Sequence, residues 1–225
     1  MNLHGALDMD LEGLQQDITA QLMSTRIVTA TMQGSLCEAQ YIAYMSDVYC
    51  YARHSSQVIG QAGARLVLSH PELSQYLFHH AREELGHDKW AESDLWDLKL
   101  TPDEIAEIEP SPPCLRMIGL EYLYAAHLNP VGLFGWMFVL ESLGGRAGGA
   151  IAEGIDKALR LNGKALYFLN GHADADAQHS LDLYRVVKSH VHSKADRRAF
   201  DTMARQSAEL YCAMLDHAFE AGSQA

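Results

Sequence analysis

The sequence has few cysteines, no excess of positive charge and no long apolar run. Its four cysteines are scattered and form no Cys-x-x-Cys pair, so neither a thiolate zinc site nor a disulfide scaffold is expected. The formal net charge is −12, which excludes the basic stripe that binds nucleic acid or an anionic membrane. The longest apolar run has about ten residues, half of what a bilayer requires. The cysteines are Cys37, Cys50, Cys114 and Cys212.

Two further signals are missing, and their absence narrows the class of protein. Acidic residues from Asp8 to Glu12 interrupt any apolar region near the start, so we expect no secretory leader and a cytoplasmic protein with reduced thiols. The glycine-rich segment 144–149 lacks the Lys-Ser/Thr of a phosphate loop. Small molecules are therefore the expected partners, together with a possible homodimer by analogy with other bundles.

Hydrophobic periodicity predicts an all-α protein. Apolar residues recur every three to four positions, period-two alternation is absent, and residues 1–225 read as one domain. We expect a bundle of about seven helices. The predicted helical segments are about 10–32, 37–64, 69–98, 115–127, 131–141, 151–161, 164–192 and 194–221, with 101–113 as a connector.

The segment from His172 to His179 carries the strongest chemical signal. At about 100° per residue, His172, Asp176 and His179 fall within roughly 60° of one another on a helix. Two imidazoles and a carboxylate therefore share one face, as metal ligands do. A solvated polar face is the alternative for this motif taken alone.

A second pair of ligand types lies upstream. Glu84 and His87 form the Glu-x-x-His arrangement, with three-residue spacing on the predicted helix 69–98. Glu83 lies four residues before His87 and would also share a helix face with it. Either glutamate could therefore be the ligand, with Glu84 favoured. A solvated charged patch is the alternative.

Glu141 ends the apolar run that begins at Val131. An ionised carboxylate rarely stays in an apolar helix unless it is paired or bound to metal. A pair with Arg146 is the alternative. Carboxylates mixed with imidazoles suit iron or manganese, whereas structural zinc favours cysteine.

Other histidines and aromatic residues receive weaker predictions. For His54, His79 and His80 a packed or solvated role is favoured over ligation, although His80 is in phase with His87. Tyrosines on the second predicted helix are more often core than pocket, but buried hydroxyls need partners. The substrate pocket is predicted to include Tyr44, Tyr51, His54 and Trp136.

The order of these motifs resembles the haem-oxygenase-like di-iron oxidases, in the superfamily of thiaminase II and pyrroloquinoline quinone synthase. Glu-x-x-His is followed 54 residues later by a glutamate and a further 31 residues later by His-x-x-x-Asp-x-x-His. The strings 83–90 and 171–179 look most like bacterial proteins described as iron-containing redox enzymes.

The resemblance implies a haem-oxygenase-like bundle with two ferrous ions that use O₂ to oxidise a small amphiphilic substrate, such as an amino acid or a fatty acid. It implies C–C cleavage, desaturation or N-oxygenation as the reaction. Glu84 and His87 would hold one iron, and Glu141 and Asp176 the other. One of His172 and His179 would bind each iron, and which histidine binds which iron stays open. A seventh ligand from the second helix has no recognisable candidate.

Three alternatives remain at this stage. A metal-free hydrolase of the thiaminase II type would need a cysteine nucleophile, and a haem-binding or haem-degrading protein would need one axial histidine. A non-catalytic binding bundle is the third. All three leave most of the ligand-type residues unexplained.

Overall fold

The computed structural model describes residues 9–143 and 147–223, apart from the side chains of residues 173–178. Within those residues the chain forms eleven α-helices and no strand, so the all-α prediction is confirmed. The helices are α1 Leu11–Met23, α2 Arg26–Met32, α3 Glu38–Leu66, α4 Pro71–Glu83, α5 Asp88–Asp97, α6 Pro102–Ala106, α7 Pro112–Ala126, α8 Leu133–Leu143, α9 Gly149–Leu159, α10 Tyr167–His190 and α11 Lys194–Gly222. A 3₁₀ turn, Pro130–Gly132, precedes α8.

The prediction of about seven helices was too low, because two predicted helices are broken and one connector is helical. Thr25 is extended, with ψ of 151°, and separates α1 from α2. Residues 84–87 form a turn in which Gly86 adopts φ of +96°, a conformation that ends α4 before α5 begins. Thr101 caps the short helix α6 through a capping box with Glu104.

Helix α3 is the centre of the bundle. Its neighbours include α4, α5, α7 and α11, and more than half of its residues are buried. Gly63 faces Leu77 while Ser56 donates a hydrogen bond to the carbonyl of Ala81, so α4 runs antiparallel to α3. No helix in the described part of the chain is long and apolar enough to cross a membrane.

Helices α8 and α11 approach closely at Gly135. A Cβ atom at this position would collide with the carbonyl oxygen of Phe200 and lie 2.8 Å from the backbone nitrogen of Ala204. Backbone atoms in packed helices have little freedom to move aside. We therefore expect Gly135→Ala to lower the free energy of unfolding by about 3 kcal/mol, measured by urea denaturation.

The matched control is Gly119→Ala on α7, where a Cβ meets nothing within 4 Å. Alanine is the better helix former, so this variant should gain about 1 kcal/mol. Equal stability changes in the two variants would contradict the close packing of α8 on α11.

Candidate metal centre

Four segments bring the ligand-type side chains together. Helix α4 and the turn 84–87 lie along α3, α8 supplies Glu141, and α10 packs against α4, α5 and α8. Helices α4, α8 and α10 each bury part of an apolar face in the same core. Their polar side chains therefore meet inside the bundle instead of at its surface.

One cluster consists of His80, Glu141 and His179. His80 Nε2 lies 3.1 Å from Glu141 Oε1, and His179 Nδ1 lies 3.6 Å from Glu141 Oε2. The ligand atoms of the three side chains lie within 4.8 Å of one another. His80 and Glu141 are almost completely buried, so the cluster is internal.

The second cluster consists of Glu84, His87 and His172. His87 Nδ1 lies 3.3 Å from Glu84 Oε1, and the imidazoles of His87 and His172 are 4.7 Å apart at their centroids in an edge-to-face arrangement. These three ligand atoms also lie within 4.8 Å of one another. Trp90 stacks on His87 and closes one side of the cluster.

Glu84 lies between the two clusters. Its Oε1 is 3.3 Å from His87 Nδ1 and 3.9 Å from His80 Nε2, in the other cluster. A carboxylate in that position has oxygen atoms within reach of both groups of ligands. The two clusters are thus parts of one polar centre inside the bundle.

Two imidazole nitrogen atoms of this centre are left without hydrogen-bond partners. Among the described residues, His87 Nδ1 and His179 Nδ1 are buried and make no hydrogen bond, although carboxylate oxygens lie 3.3–3.6 Å away. Buried polar atoms are usually satisfied, so such atoms call for an explanation. Lone pairs directed at cations, one in each cluster, would account for both.

His172 is oriented by its own helix. Its Nδ1 lies 3.0 Å from the carbonyl oxygen of Phe168, one turn earlier. A carbonyl only accepts, so Nδ1 carries the proton and Nε2 keeps a free lone pair. This is the arrangement that fixes the tautomer of metal-binding histidines.

Burial determines the charge of the histidines. It lowers the pKa of His80, His172 and His179 below the ordinary value, so these rings are neutral at pH 7. Burial by itself would raise the pKa of Glu84, but the short contact with His87, followed by the electrostatic effects of His80 and His172, lowers it. The result is three neutral imidazoles beside an ionised Glu84, the protonation states that metal ligands need.

Five of the six predicted ligands lie in these clusters, and the sixth, Asp176, has a side chain outside the described part of the structure. Asp176 lies on α10 between His172 and His179, but its side chain is not among the described residues, so its role stays a prediction. Glu84 and His87 are close together, yet they lie in a turn and not on a regular helix as predicted.

His80 lies in the centre, although the sequence did not favour it as a ligand. It was assigned a packed or solvated role, whereas its Nε2 lies within contact distance of Glu141 and Glu84. Its seven-residue spacing to His87 was the available signal. Glu83 is more exposed than Glu84 and contacts His79 and His179, at 3.1 and 3.6 Å.

A cavity opens onto the centre from the side of α3. Its water-accessible volume is about 110 Å³, and His80, Glu84, Glu141 and His172 line one part of it. The predicted pocket residues Tyr44, Tyr51 and Trp136 also line it. His54 does not, because its ring faces α7 and its Nδ1 lies 3.0 Å from the hydroxyl of Tyr122.

Asp94 holds the beginning of α10 against α5. Its carboxylate accepts hydrogen bonds from the backbone N–H groups of Tyr167 and Phe168, at 2.7 and 2.9 Å. An anion at a helix N-terminus also interacts favourably with the helix dipole. Because His172 and His179 both lie on α10, Asp94 positions the helix that carries them.

The pKa of Asp94 makes this anchor sensitive to pH. Burial raises that pKa from 3.8 to about 6, so the native state holds the proton more tightly than the unfolded chain does. Stability contributed in this way is present below about pH 4 and is lost as the pH rises to 6. We expect Asp94→Asn to remove this change, seen as a smaller fall in the free energy of unfolding between pH 4 and 6 than in wild type.

At pH 7 the same variant should be less stable than wild type by about 1 kcal/mol, because an amide oxygen replaces only one of the two carboxylate acceptors. Asp17→Asn, at an exposed position on α1, is the control and should match wild type at every pH. Identical pH profiles for Asp94→Asn and wild type would contradict the assignment.

The fold and this centre together define a haem oxygenase-like helical bundle. A domain of unknown function with this fold from Shewanella denitrificans superposes with a TM-score of 0.86 at 23% identity, over 94% of this chain and 93% of the other. A TenA homologue from Pseudomonas syringae gives 0.74 at 12% identity, covering 96% and 91%. Haem oxygenase-1 from Synechocystis, solved in complex with haem, gives 0.71 at 14% identity, covering 97% and 95%.

The sequence profile of the iron-containing redox enzymes matches residues 42–211, so the chain belongs to that family. This confirms the family suggested by the motif order. The matched range includes most of α3 and all of α4, α8 and α10, and hence every residue of both clusters. A search of curated proteins gives no match.

Proposed function

We propose that this protein is a non-haem di-iron oxygenase or oxidase that uses O₂ to oxidise a small amphiphilic molecule. The observation that carries the proposal is the pair of buried nitrogen-and-oxygen clusters joined at Glu84. Each cluster contains two imidazoles and a carboxylate, a donor set that suits ferrous iron. The family, iron-containing redox enzymes, supports the choice of metal.

In this proposal His80, Glu141 and His179 hold one ferrous ion, and Glu84, His87 and His172 hold the other. Glu84 is also within reach of the first site, and Asp176 is retained as a ligand from the sequence motif. Ferrous ions bound here would supply the electrons that reduce O₂.

The protein's own contribution is to orient ligands and exclude water. The carbonyl of Phe168 fixes the ring of His172, and Asp94 fixes the helix on which it lies. Trp90 covers His87, and apolar side chains line most of the cavity. Excluding water from the cavity strengthens the electrostatic interactions within the site and prevents side reactions with bulk water.

A cysteine-dependent hydrolase of the thiaminase II type receives no support from the geometry. None of the four cysteines lines the cavity that the structure describes. Burial raises the pKa of Cys50 to about 11 and that of Cys114 further, which keeps both thiols protonated.

A haem protein needs one axial histidine and an open face for the macrocycle. Here four histidines and two carboxylates face one another at contact distance, which suits small cations better. The similarity to the haem-bound Synechocystis structure therefore concerns the fold and not haem binding.

The test is an anaerobic titration of the full chain with ferrous ion, followed by exposure to O₂. We expect two tight equivalents of iron per chain and O₂ consumption by the loaded protein. Haem addition serves as the control and should leave the Soret band of free haem unshifted. One iron or none, or iron without O₂ consumption, would overturn the proposal.

A further inference from the structure

An aromatic ring lies directly on a ligand of the second cluster and continues to the surface. The indole of Trp90 stacks on the imidazole of His87, with ring centroids 3.9 Å apart, and meets the ring of His172 edge-on at 5.4 Å. On its other side Trp90 contacts the ring of Tyr167, 5.7 Å away and at right angles to it. Trp90 is half-buried and Tyr167 is 62% exposed, so these rings form a continuous line from the cluster to solvent.

The backbone of α10 is adapted to this indole. Gly171 precedes His172, and a Cβ atom at this position would lie 2.8 Å from Trp90 Cζ3 and 3.0 Å from its Cε3. Because close-packed atoms leave no room for such an approach, a larger residue would displace the indole from its place beside both histidines. The position of Trp90 is therefore specified from α10 as well as from α5.

The other ring stacked on a ligand does not continue to an exposed phenol. Tyr76 stacks on His80, with centroids 5.9 Å apart, but its next ring contact is with Phe134, which is completely buried. A phenyl ring is also harder to oxidise than an indole or a phenol. Among the ring contacts of the described residues, the line through Trp90 is the one that joins a ligand to a mostly exposed tyrosine.

The electron balance of the proposed function requires two electrons that the metal ions do not supply. Reduction of O₂ to two waters takes four electrons and four protons, and two ferrous ions give two of the electrons. A bound substrate gives the other two during turnover. When no substrate is bound, they must come from side chains beside the ligands, where indole and phenol are oxidised more readily than imidazole.

We propose that Trp90 and Tyr167 carry electrons, one at a time, from a small reductant at the protein surface to the metal centre when no substrate is bound. The inference rests on the proposed function, because it requires a centre that reduces O₂. Such a relay consumes the oxidising equivalents before they attack the ligand histidines.

Each transfer conserves electrons and protons. Trp90 gives one electron to the centre and its indole N–H proton to solvent. Tyr167 then gives an electron to the indolyl radical and its hydroxyl proton to solvent, while the indole nitrogen takes a proton back. A hydrogen atom from a thiol or from ascorbate restores the phenol. Two such rounds, with two further protons from solvent, complete the reduction of one O₂ and oxidise the reductant to a disulfide or to dehydroascorbate.

Rapid freeze-quench electron paramagnetic resonance tests the relay. The full chain is loaded with ferrous ion, mixed with O₂ without substrate or reductant, and frozen at increasing times. In wild type we expect a radical whose spectrum narrows when the protein carries ring-deuterated tyrosine. In Tyr167→Phe we expect a radical that responds to deuterated tryptophan instead, because oxidation stops at Trp90. Added ascorbate should remove the wild-type radical faster than the radical of Tyr167→Phe.

Two substitutions of Trp90 separate the relay from packing. Trp90→Phe keeps a ring over His87 but should lose both radicals, and mass spectrometry should then find oxygen added to His87 or His172. Trp90→Tyr keeps an oxidisable ring and should restore a radical. Trp96→Phe, at a tryptophan 51% exposed, and Tyr76→Phe, at the other stacked ring, are the controls and should behave as wild type. Iron content and circular dichroism verify that each variant is loaded and folded.

A wild-type radical that persists in Trp90→Phe, or loaded protein that consumes O₂ without forming a radical, would overturn the relay and leave the di-iron proposal standing. Equal decay with ascorbate in wild type and Tyr167→Phe would exclude Tyr167 and overturn the relay as well. Failure of the wild-type chain to take up iron would overturn both proposals.

Discussion

Glu84→Gln is expected to weaken both of the proposed ferrous sites at once. The Glu84 carboxylate lies 3.3 Å from His87 in one cluster and 3.9 Å from His80 in the other, so its loss removes negative charge from both. Loss of a partner that only orients a ligand costs 10–100-fold in metal affinity, and loss of the ligand itself should exceed about 100-fold. Anaerobic titration in competition with a chelator measures both affinities.

Glu83→Gln is the matched control, with the same chemistry one residue away. Glu83 is more exposed and lies nearest to His79; it is not a member of either cluster, and its contacts with His179 and His80 are longer, at 3.6 and 3.8 Å. We expect this variant to keep two irons with affinities within about tenfold of wild type. If Glu83→Gln lost iron and Glu84→Gln kept it, the choice between the two glutamates would be reversed.

His80→Ala is expected to bind one iron per chain instead of two. His80 belongs to the cluster of Glu141 and His179, while Glu84, His87 and His172 would remain in place. The loss should exceed about 100-fold in affinity at one site and leave the other close to wild type. Imidazole added to the solution should restore the second iron, which a merely misfolded variant would not allow.

His79→Ala controls for the loss of a neighbouring histidine. The side chain of His79 is 57% exposed and points to Glu83, so its removal should leave two irons. Two tight irons in His80→Ala would show that His80 only packs beside the centre, as the sequence argument favoured.

The ligand motif on α10 could be predicted from the sequence because helical spacing is a local property. His172 and His179 both lie in the continuous helix Tyr167–His190, and each reaches one of the two clusters. Glu141 was readable for a different reason, since a carboxylate at the end of an apolar helix needs a buried partner. The structure provides His80 at 3.1 Å, while Arg146, the alternative partner, lies outside the described residues.

The segment from His80 to His87 shows where periodicity misleads. On one continuous helix these two histidines would share a face, and both would serve the same cluster. Gly86 instead adopts a positive φ, α4 ends at Glu83, and the two imidazoles enter different clusters. The seven-residue spacing therefore indicated that His80 lies near the site, but the assumption of one continuous helix could not predict which cluster it joins.

The sequence by itself determined that this chain is helical, which family it resembles and which residue types lie in phase on α10. Those properties depend on neighbours three or four residues apart. The tertiary structure decided that His80 pairs with Glu141, that His172 and His179 belong to different clusters, and that an apolar cavity extends from them to α2. Such contacts join residues about forty or more positions apart, and only the packing of whole helices brings them together.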